Sequence, residues 1–231
     1  MRQISNYVYA RDEVFEWDIP TARFPNPYHD FPYMVLEGVL SPSECRSITE
    51  AALADRDVVA AELRGRSLDT TVRRTDIHTL NPEHRDIYDR RFAAVRGEIE
   101  EFFSLSLTKG TDVQVLGYEK GSFYVCHADD SSELRDREGK IVGFRPVAPE
   151  RKLTTVLFIT SYTPNPTDTD HFSGGELLFN YLCDSHGNTI TLRPEAGDMV
   201  VFLSNPCFSH EVLPVKEGFR LSLVQWHDAH L

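Results

Sequence analysis

The chain has 231 residues, a formal net charge of -12, 41% hydrophobic residues and 26% charged residues, which is the composition of an ordinary globular protein. This length fits one domain with a single core, and no apolar run approaches the roughly 18 residues that a membrane-spanning helix needs. We therefore expect no membrane partner, and the acidic balance argues against nucleic-acid binding, because phosphate contacts need clustered lysine and arginine.

The amino terminus and the cysteines indicate the compartment. The first twenty residues carry acidic side chains and lack the apolar segment of a secretory signal, so we expect a cytoplasmic protein. The four cysteines lie far apart without a CxxC pair. This spacing favours reduced thiols over a disulfide framework or a zinc knuckle.

The first third of the chain predicts an arm followed by a helix. Residues 1–33 are rich in aromatic residues and prolines, and we expect an extended arm that packs on the core instead of a regular element. Ser41, Pro42 and Glu44 then provide an N-cap, a first helical residue and a capping box. This signature predicts a helix over about 42–54.

A second helix is predicted after Asn81, which can cap it, and Pro82, which suits its first turn. Its apolar residues recur near helical spacing, at Ile87, Phe92, Val95, Ile99 and Phe102 or Phe103. We expect residues 34–110 to form a helical layer on one face of a sheet.

From about residue 111 the chain changes to eight short β-type runs: VQVLGY, SFYVCHA, KLTTVLFIT, GELLF, TITL, DMVVFL, HEVLP and FRLSLVQW. These runs predict a mostly β (α+β) fold: a double-stranded β-helix, or jelly roll, over 111–231, supported by two or more amino-terminal helices within a single domain of 1–231. Two long polar segments, 130–151 and 161–174, are expected to be loops that act as a lid or border a binding groove.

His127 and Asp129 lie two residues apart at the end of a predicted strand, so both side chains are expected on one face of the sheet. By the same alternation Asp130 and Cys126 should face away. A jelly roll brings distant strands together, and His210 is the candidate third ligand. Two histidines and one carboxylate that leave metal positions open are typical of non-haem Fe(II) oxygenases.

Arg220 follows His210 by ten residues, on the next predicted strand. Its planar guanidinium matches a carboxylate in a bidentate pair. It is therefore suited to anchor the far end of a dicarboxylic cosubstrate.

The ordered set "VQVLGYEKGSFYVCHADD", "GGELLF", the distal histidine and "EGFRLS" resembles the Fe(II)/2-oxoglutarate dioxygenases of the prolyl 4-hydroxylase-like family, over roughly 111–227. The resemblance implies Fe(II) and 2-oxoglutarate, with ascorbate as a possible reductant. It also implies site roles: His127, Asp129 and His210 as catalytic metal ligands, Arg220, Tyr118 and Ser222 for the cosubstrate, and Tyr124 on the substrate side.

The residues "VRRTD" at 72–76 place Arg73 or Arg74 at the mouth of the pocket, and we take Arg74 as a substrate-binding candidate. A solvated strand end is the alternative for this segment.

The resemblance implies a hydroxylase of an unactivated C–H bond, most typically in a prolyl residue of a peptide or protein, with release of succinate and carbon dioxide. Hydroxylation of a free amino acid or another small metabolite is the alternative within enzymes, and a non-catalytic jelly-roll binding module is the alternative outside them. The net charge favours a substrate that is not strongly anionic. The oligomeric state stays open.

Overall fold

The computed structural model describes residues 1–55, 59–60 (backbone only) and 73–230. Two α-helices, α1 (Pro42–Ala54) and α2 (Pro82–Phe103), lie in the first half of the chain, with short 3-10 helices at Asp12–Phe15 and Pro206–Phe208. Among the described residues, no helix has the length and apolar character to cross a bilayer.

Twenty strands, most of them short, complete the regular structure of the described residues. The first ten are β1 (Arg2–Gln3), β2 (Tyr9–Ala10), β3 (Met34–Leu36), β4 (Val59–Ala60), β5 (Arg73–Arg74), β6 (Asp76–His78), β7 (Ser106–Gly110), β8 (Gln114–Tyr118), β9 (Phe123–His127) and β10 (Ser131–Arg135). The others are β11 (Ile141–Pro146), β12 (Leu153–Phe158), β13 (Ser161–Tyr162), β14 (His171–Gly174), β15 (Leu177–Cys183), β16 (Thr189–Leu192), β17 (Met199–Leu203), β18 (His210–Val212), β19 (Val215–Gly218) and β20 (Arg220–His230).

Two antiparallel sheets form the jelly roll. The larger sheet has the order β3-β17-β12-β20-β8-β6-β4, with β7 also on β20, and the smaller has the order β1-β2-β15-β18-β9-β5, with β16 on β15. Strands that are distant in sequence are therefore neighbours in both sheets. Side chains from the two sheets share one hydrophobic core. This arrangement confirms the predicted fold class.

Both predicted helices are present. The Ser41 side chain accepts from the Glu44 amide while the Glu44 carboxylate accepts from the Ser41 amide, so the capping box is complete and α1 begins at Pro42. Helix α2 packs on β20, where the Tyr88 hydroxyl donates to Gln225 Oε1 at 2.9 Å. Helix α2 therefore covers one face of the larger sheet, and the cavity that contains His127 lies on the opposite face.

The structure departs from the sequence prediction in three segments. The arm over 1–33 contains β1 and β2, and β2 extends the smaller sheet by pairing with β15. The predicted loop 130–151 contains the hairpin of β10 and β11, and the segment 161–174 contains β13 and β14. Strands before residue 111 also join both main sheets. The strands that join the main sheets before residue 111 are short, and most of their partners lie far away in the sequence, so local composition does not mark them. Strands β10 and β11 pair locally, within a segment whose polar composition indicated a loop.

Replacement of Ser41 by alanine should lower the free energy of unfolding by about 1 kcal/mol, because the first turn of α1 loses its side-chain acceptor. Denaturant unfolding of the whole chain measures this change. Glu50→Ala, at an exposed position of the same helix, is the control and should have a smaller effect. Equal stability of Ser41→Ala and the parent protein would contradict the importance of the cap.

Candidate active site

Pairing of β9 with β18 brings the predicted metal ligands together. His127 at the end of β9 lies opposite His210 at the start of β18. His127 Nε2 is 3.7 Å from Asp129 Oδ1, and His210 Nε2 is 3.9 Å from Asp129 Oδ2. One ligand atom from each of the three residues lies within 4.8 Å of the others. The structure thus places all three side chains at one point, and their role as iron ligands stays a prediction.

A bulge in β9 changes the strand alternation that the sequence predicted. His127 pairs with His210 and Tyr124 pairs with Val212, so a three-residue step on β9 faces a two-residue step on β18. Because of this extra residue the Tyr124 ring lies on the same side as His127 and stacks on it, with 3.7 Å between centroids. Cys126 is also among the residues that line the cavity, but it is not part of the cluster of His127, Asp129 and His210.

Asp129 lies beyond the end of β9, so hydrogen bonds and not the strand pleat fix its position. Its amide donates to the Ser204 carbonyl at 3.2 Å. Thr154 Oγ1, on strand β12 of the larger sheet, donates to Asp129 Oδ2 at 2.7 Å and lies 2.8 Å from Ser204 Oγ. The carboxylate therefore faces the two imidazoles. Asp130 is not part of this cluster.

The surroundings of the cluster favour an ionised Asp129 carboxylate and a neutral His127 imidazole. Burial would raise the pKa of Asp129, but the neighbouring His210 and His127 and the Thr154 hydroxyl outweigh it and hold this pKa below its usual value. Burial, together with His210, lowers the pKa of His127 to about 3. His127 is consequently neutral near pH 7 and keeps a lone pair for a metal.

The tautomers and the donor set fit a metal ion with open positions. Nδ1 of His127 lies 2.9 Å from the Val125 carbonyl and Nδ1 of His210 lies 3.1 Å from the Phe208 carbonyl. Each carbonyl accepts a hydrogen bond from Nδ1–H, so Nε2 is the ring nitrogen that can bind a metal on both histidines. Within the described residues the cluster contains no fourth His, Cys, Asp or Glu. This set suits an open iron site better than a closed zinc site.

Arg220 lies at the start of β20, opposite Tyr118 at the end of β8. Its side chain is buried, at 1% exposure. Nε donates to the Gly175 carbonyl at 2.8 Å, and Nη1 donates to Ser222 Oγ at 3.2 Å. The guanidinium carbon lies 4.8 Å from the centroid of the Tyr118 ring. Arg220 is therefore in contact with both of the other residues predicted to hold the cosubstrate, Tyr118 and Ser222.

The Arg220 guanidinium has no carboxylate partner within 4.0 Å among the residues that the structure describes. Burial lowers the pKa of Arg220, although arginine stays protonated in proteins. A buried cation without a counter-ion is costly unless a ligand supplies the negative charge. An anion in this part of the cavity would supply it.

The triad and Arg220 line one cavity of about 960 Å³. Such a volume lies near the upper end for small-molecule sites, roughly 300–1,000 Å³, and leaves space beside a five-carbon diacid. Trp226 and Arg151 line it too, and the Arg151 guanidinium lies 3.8 Å from the centroid of the Trp226 ring. The hairpin of β10 and β11 contributes one wall.

Arg74 does not lie at the site and is exposed, which corrects that prediction. Its neighbour Arg73 lines the cavity instead, because adjacent strand residues face opposite sides and Arg73 pairs with Tyr124 while Arg74 pairs with Phe123. Sequence reasoning also missed Thr154. Its place on a β-type run directly after the first long polar segment, 130–151, is the signal that could have indicated it.

The geometry agrees with the sequence comparison. The profile of the 2OG-Fe(II) oxygenase superfamily matches residues 113–228, a stretch that includes the triad and Arg220. The chain belongs to this superfamily. It is therefore an Fe(II)- and 2-oxoglutarate-dependent oxygenase, of the prolyl 4-hydroxylase-like type.

Two curated relatives from Arabidopsis thaliana are similar over most of the chain. Probable prolyl 4-hydroxylase 10 is 25% identical, with 94% of this chain and 72% of the relative covered. Prolyl 4-hydroxylase 2 is 26% identical, with 83% of this chain and 65% of the relative covered. The chain thus spans slightly less than two thirds of the second relative.

Solved structures share the fold. A prolyl-4-hydroxylase from Pseudomonas putida superposes with a TM-score of 0.59 at 25% identity, covering 85% of this chain and 91% of that one. A prolyl hydroxylase from Trichoplax adhaerens, in complex with a peptide fragment of the hypoxia inducible factor oxygen degradation domain, has a TM-score of 0.63 at 16% identity, covering 85% and 83%. The latter likeness shows the fold alone.

Thr154→Val should weaken iron binding by about 10-fold to 100-fold, because Asp129 loses the hydroxyl that orients it. Metal titration of the purified oxygenase measures the affinity. Thr155→Val is the matched control, since the Thr155 hydroxyl bonds to the Gln225 carbonyl on the other side of the strand. Equal iron affinity in the two variants would contradict this role of Thr154.

Arg220→Gln should raise the KM for 2-oxoglutarate on the order of 100-fold and leave iron affinity nearly unchanged, because a charge-assisted bidentate pair is lost in a buried place. Arg46→Gln, at an exposed arginine paired with Asp170, is the control and should keep the original KM. An unchanged cosubstrate requirement in Arg220→Gln would mean that another residue is the anchor.

Proposed function

We propose that this oxygenase hydroxylates a prolyl residue in a peptide or protein. One oxygen atom of dioxygen enters the new hydroxyl group and the other enters the succinate formed from 2-oxoglutarate, with release of carbon dioxide. The observation that carries the proposal is the buried Arg220 without a carboxylate partner among the described residues, in the same cavity as the His127, Asp129 and His210 cluster.

The chain's own residues divide the work of the reaction. His127, Asp129 and His210 would hold Fe(II), which supplies the redox chemistry that couples oxidation of the cosubstrate to hydroxylation. Arg220 binds the distal carboxylate of 2-oxoglutarate, and Ser222 and Tyr118 keep the guanidinium in position.

Tyr124 is the substrate-side residue of this proposal. Its ring is fixed by stacking on His127, and burial raises the pKa of its hydroxyl to about 12. The phenol is therefore protonated and can donate a hydrogen bond to a substrate carbonyl. Its rigid ring limits how close the substrate comes to the metal ligands.

Three features support a prolyl residue as the target. The curated relatives are prolyl 4-hydroxylases or probable ones, and the related structure from Pseudomonas putida is a prolyl-4-hydroxylase. A fold neighbour from Trichoplax adhaerens binds a peptide fragment. The cavity has room for a substrate side chain beside the cosubstrate.

Purified protein incubated with Fe(II), ascorbate, 2-oxoglutarate and single-proline peptides should form succinate and peptides that gain one oxygen atom in equal amounts. Mass spectrometry locates the oxygen on proline, and peptides with alanine in place of proline are the control. Oxygen incorporated in the alanine peptides to the same extent, or no oxygen in any proline peptide while 2-oxoglutarate binds, would contradict a prolyl substrate.

A further inference from the structure

The cavity is rich in arginine although the whole chain carries a net charge of -12. Five arginines contribute to its lining: Arg73, Arg135, Arg145, Arg151 and Arg220. Asp129 and Glu133 are the two carboxylates among the described lining residues. A cleft lined by an excess of one charge concentrates ligands of the opposite charge. The cavity thus has the reverse polarity of the chain as a whole.

The two carboxylates of the lining already have partners. Asp129 faces the imidazoles and accepts from Thr154. Glu133 is paired with Arg135, whose Nε lies 2.9 Å from the carboxylate. Among the described residues, no carboxylate lies within 4.0 Å of the guanidinium of Arg73 or Arg145. These two charges are left for a ligand.

Arg73 is built into the cavity wall beside the metal ligands. It is 8% exposed and lies opposite Tyr124 in the pairing of β5 with β9. Its guanidinium carbon is 4.6 Å from the centroid of the Tyr124 ring, and that ring stacks on His127. Its buried Nε has no hydrogen-bond partner among the described residues. A buried donor without an acceptor is costly until a ligand supplies one.

We propose that Arg73, with Arg145 at the rim, binds a carboxylate of the substrate, so that the enzyme selects a substrate with an acidic group next to the hydroxylated residue. The inference rests on the proposed prolyl hydroxylation and adds the substrate class. Because one aromatic ring separates Arg73 from His127, the carboxylate belongs to the target residue itself, as a free terminus, or to a neighbouring Asp or Glu. A substrate with one such carboxylate is compatible with the expectation, taken from net charge, of a substrate that is not strongly anionic.

Arg73 and Arg220 are distinct anchors. Arg220 lies on β20 in the larger sheet, and Arg73 lies on β5 in the smaller sheet. The first suits the cosubstrate and the second suits the substrate. Substitution of one should consequently leave the affinity for the other ligand unchanged.

Three synthetic peptides test the inference. Two are acetylated and amidated, with a single proline preceded by Glu in one and by Gln in the other; the third has no acidic side chain and ends in a proline with a free carboxylate. We expect the KM of the Glu peptide or of the free-carboxylate peptide to be at least about tenfold below that of the Gln peptide. The better of the two identifies the source of the carboxylate.

Variants assign the preference to Arg73. Arg73→Gln should remove the advantage of the carboxylate peptide while the KM for 2-oxoglutarate stays the same, and Arg73→Lys should keep part of it. Arg74→Gln removes the same charge from the exposed face of the same strand and should change nothing. An equal increase in KM for the Glu and Gln peptides in Arg73→Gln would show a merely structural role and overturn the inference.

Binding without turnover separates this inference from the proposed reaction. The same peptides are titrated under nitrogen against the protein with Fe(II) and 2-oxoglutarate, by calorimetry. A carboxylate preference in binding without hydroxylation would overturn the prolyl reaction and leave the inference standing. Hydroxylation of all three peptides with equal KM would support the prolyl reaction and overturn the inferred preference for a carboxylate. The absence of any difference in binding, including no binding of all three, contradicts the inference.

Discussion

The pairing of β9 with β18 is the contact on which the active site depends. The two strands lie at 123–127 and 210–212, and only their alignment puts His127 opposite His210. Packing holds this register: the Phe202 ring lies 4.8 Å from His210, and Phe179 pairs with His210 from β15. Since buried aromatic side chains contribute strongly to core stability, the geometry of the site is supported by the core of the fold. A slip of this register would separate the ligands.

The bulge in β9 also determines where Tyr124 lies relative to His127. Without the extra residue, Tyr124 and His127 would face opposite sides of the sheet, and the Tyr124 ring would not stack on His127. With it, Arg73, Tyr124 and His127 form a continuous stack from the edge strand to the metal ligands. The larger sheet provides the other charged group, Arg220. Each sheet thus contributes one arginine, and the triad belongs to the same cavity.

Local signals in the sequence predicted much of this structure. The capping box placed the start of α1 at Pro42, and the eight β-type runs correspond to strands of the two sheets. The ordered motif of Tyr118, His127, Asp129, His210 and Arg220 also predicted which side chains come together, because a jelly roll returns late strands to early ones.

What the sequence did not predict depends on long-range pairing. A bulge is defined only against the partner strand, so the side on which Tyr124 lies relative to His127 could not be read from alternation. The choice between Arg73 and Arg74 required the register with β9. Thr154 orients Asp129 across twenty-five positions of sequence, and no local pattern marks such a contact. Finally, the net charge of -12 describes the whole chain and does not indicate that arginines outnumber carboxylates in the lining of the cavity.

The most direct test of the account is a crystal structure of the protein grown without oxygen, with Mn(II) in place of Fe(II) and with 2-oxoglutarate. Anomalous scattering locates the metal independently of the surrounding atoms. We expect one metal bound by His127 Nε2, His210 Nε2 and the Asp129 carboxylate, with the distal carboxylate of 2-oxoglutarate on Arg220. A metal bound elsewhere, or a cosubstrate whose distal carboxylate lies away from Arg220, would contradict it.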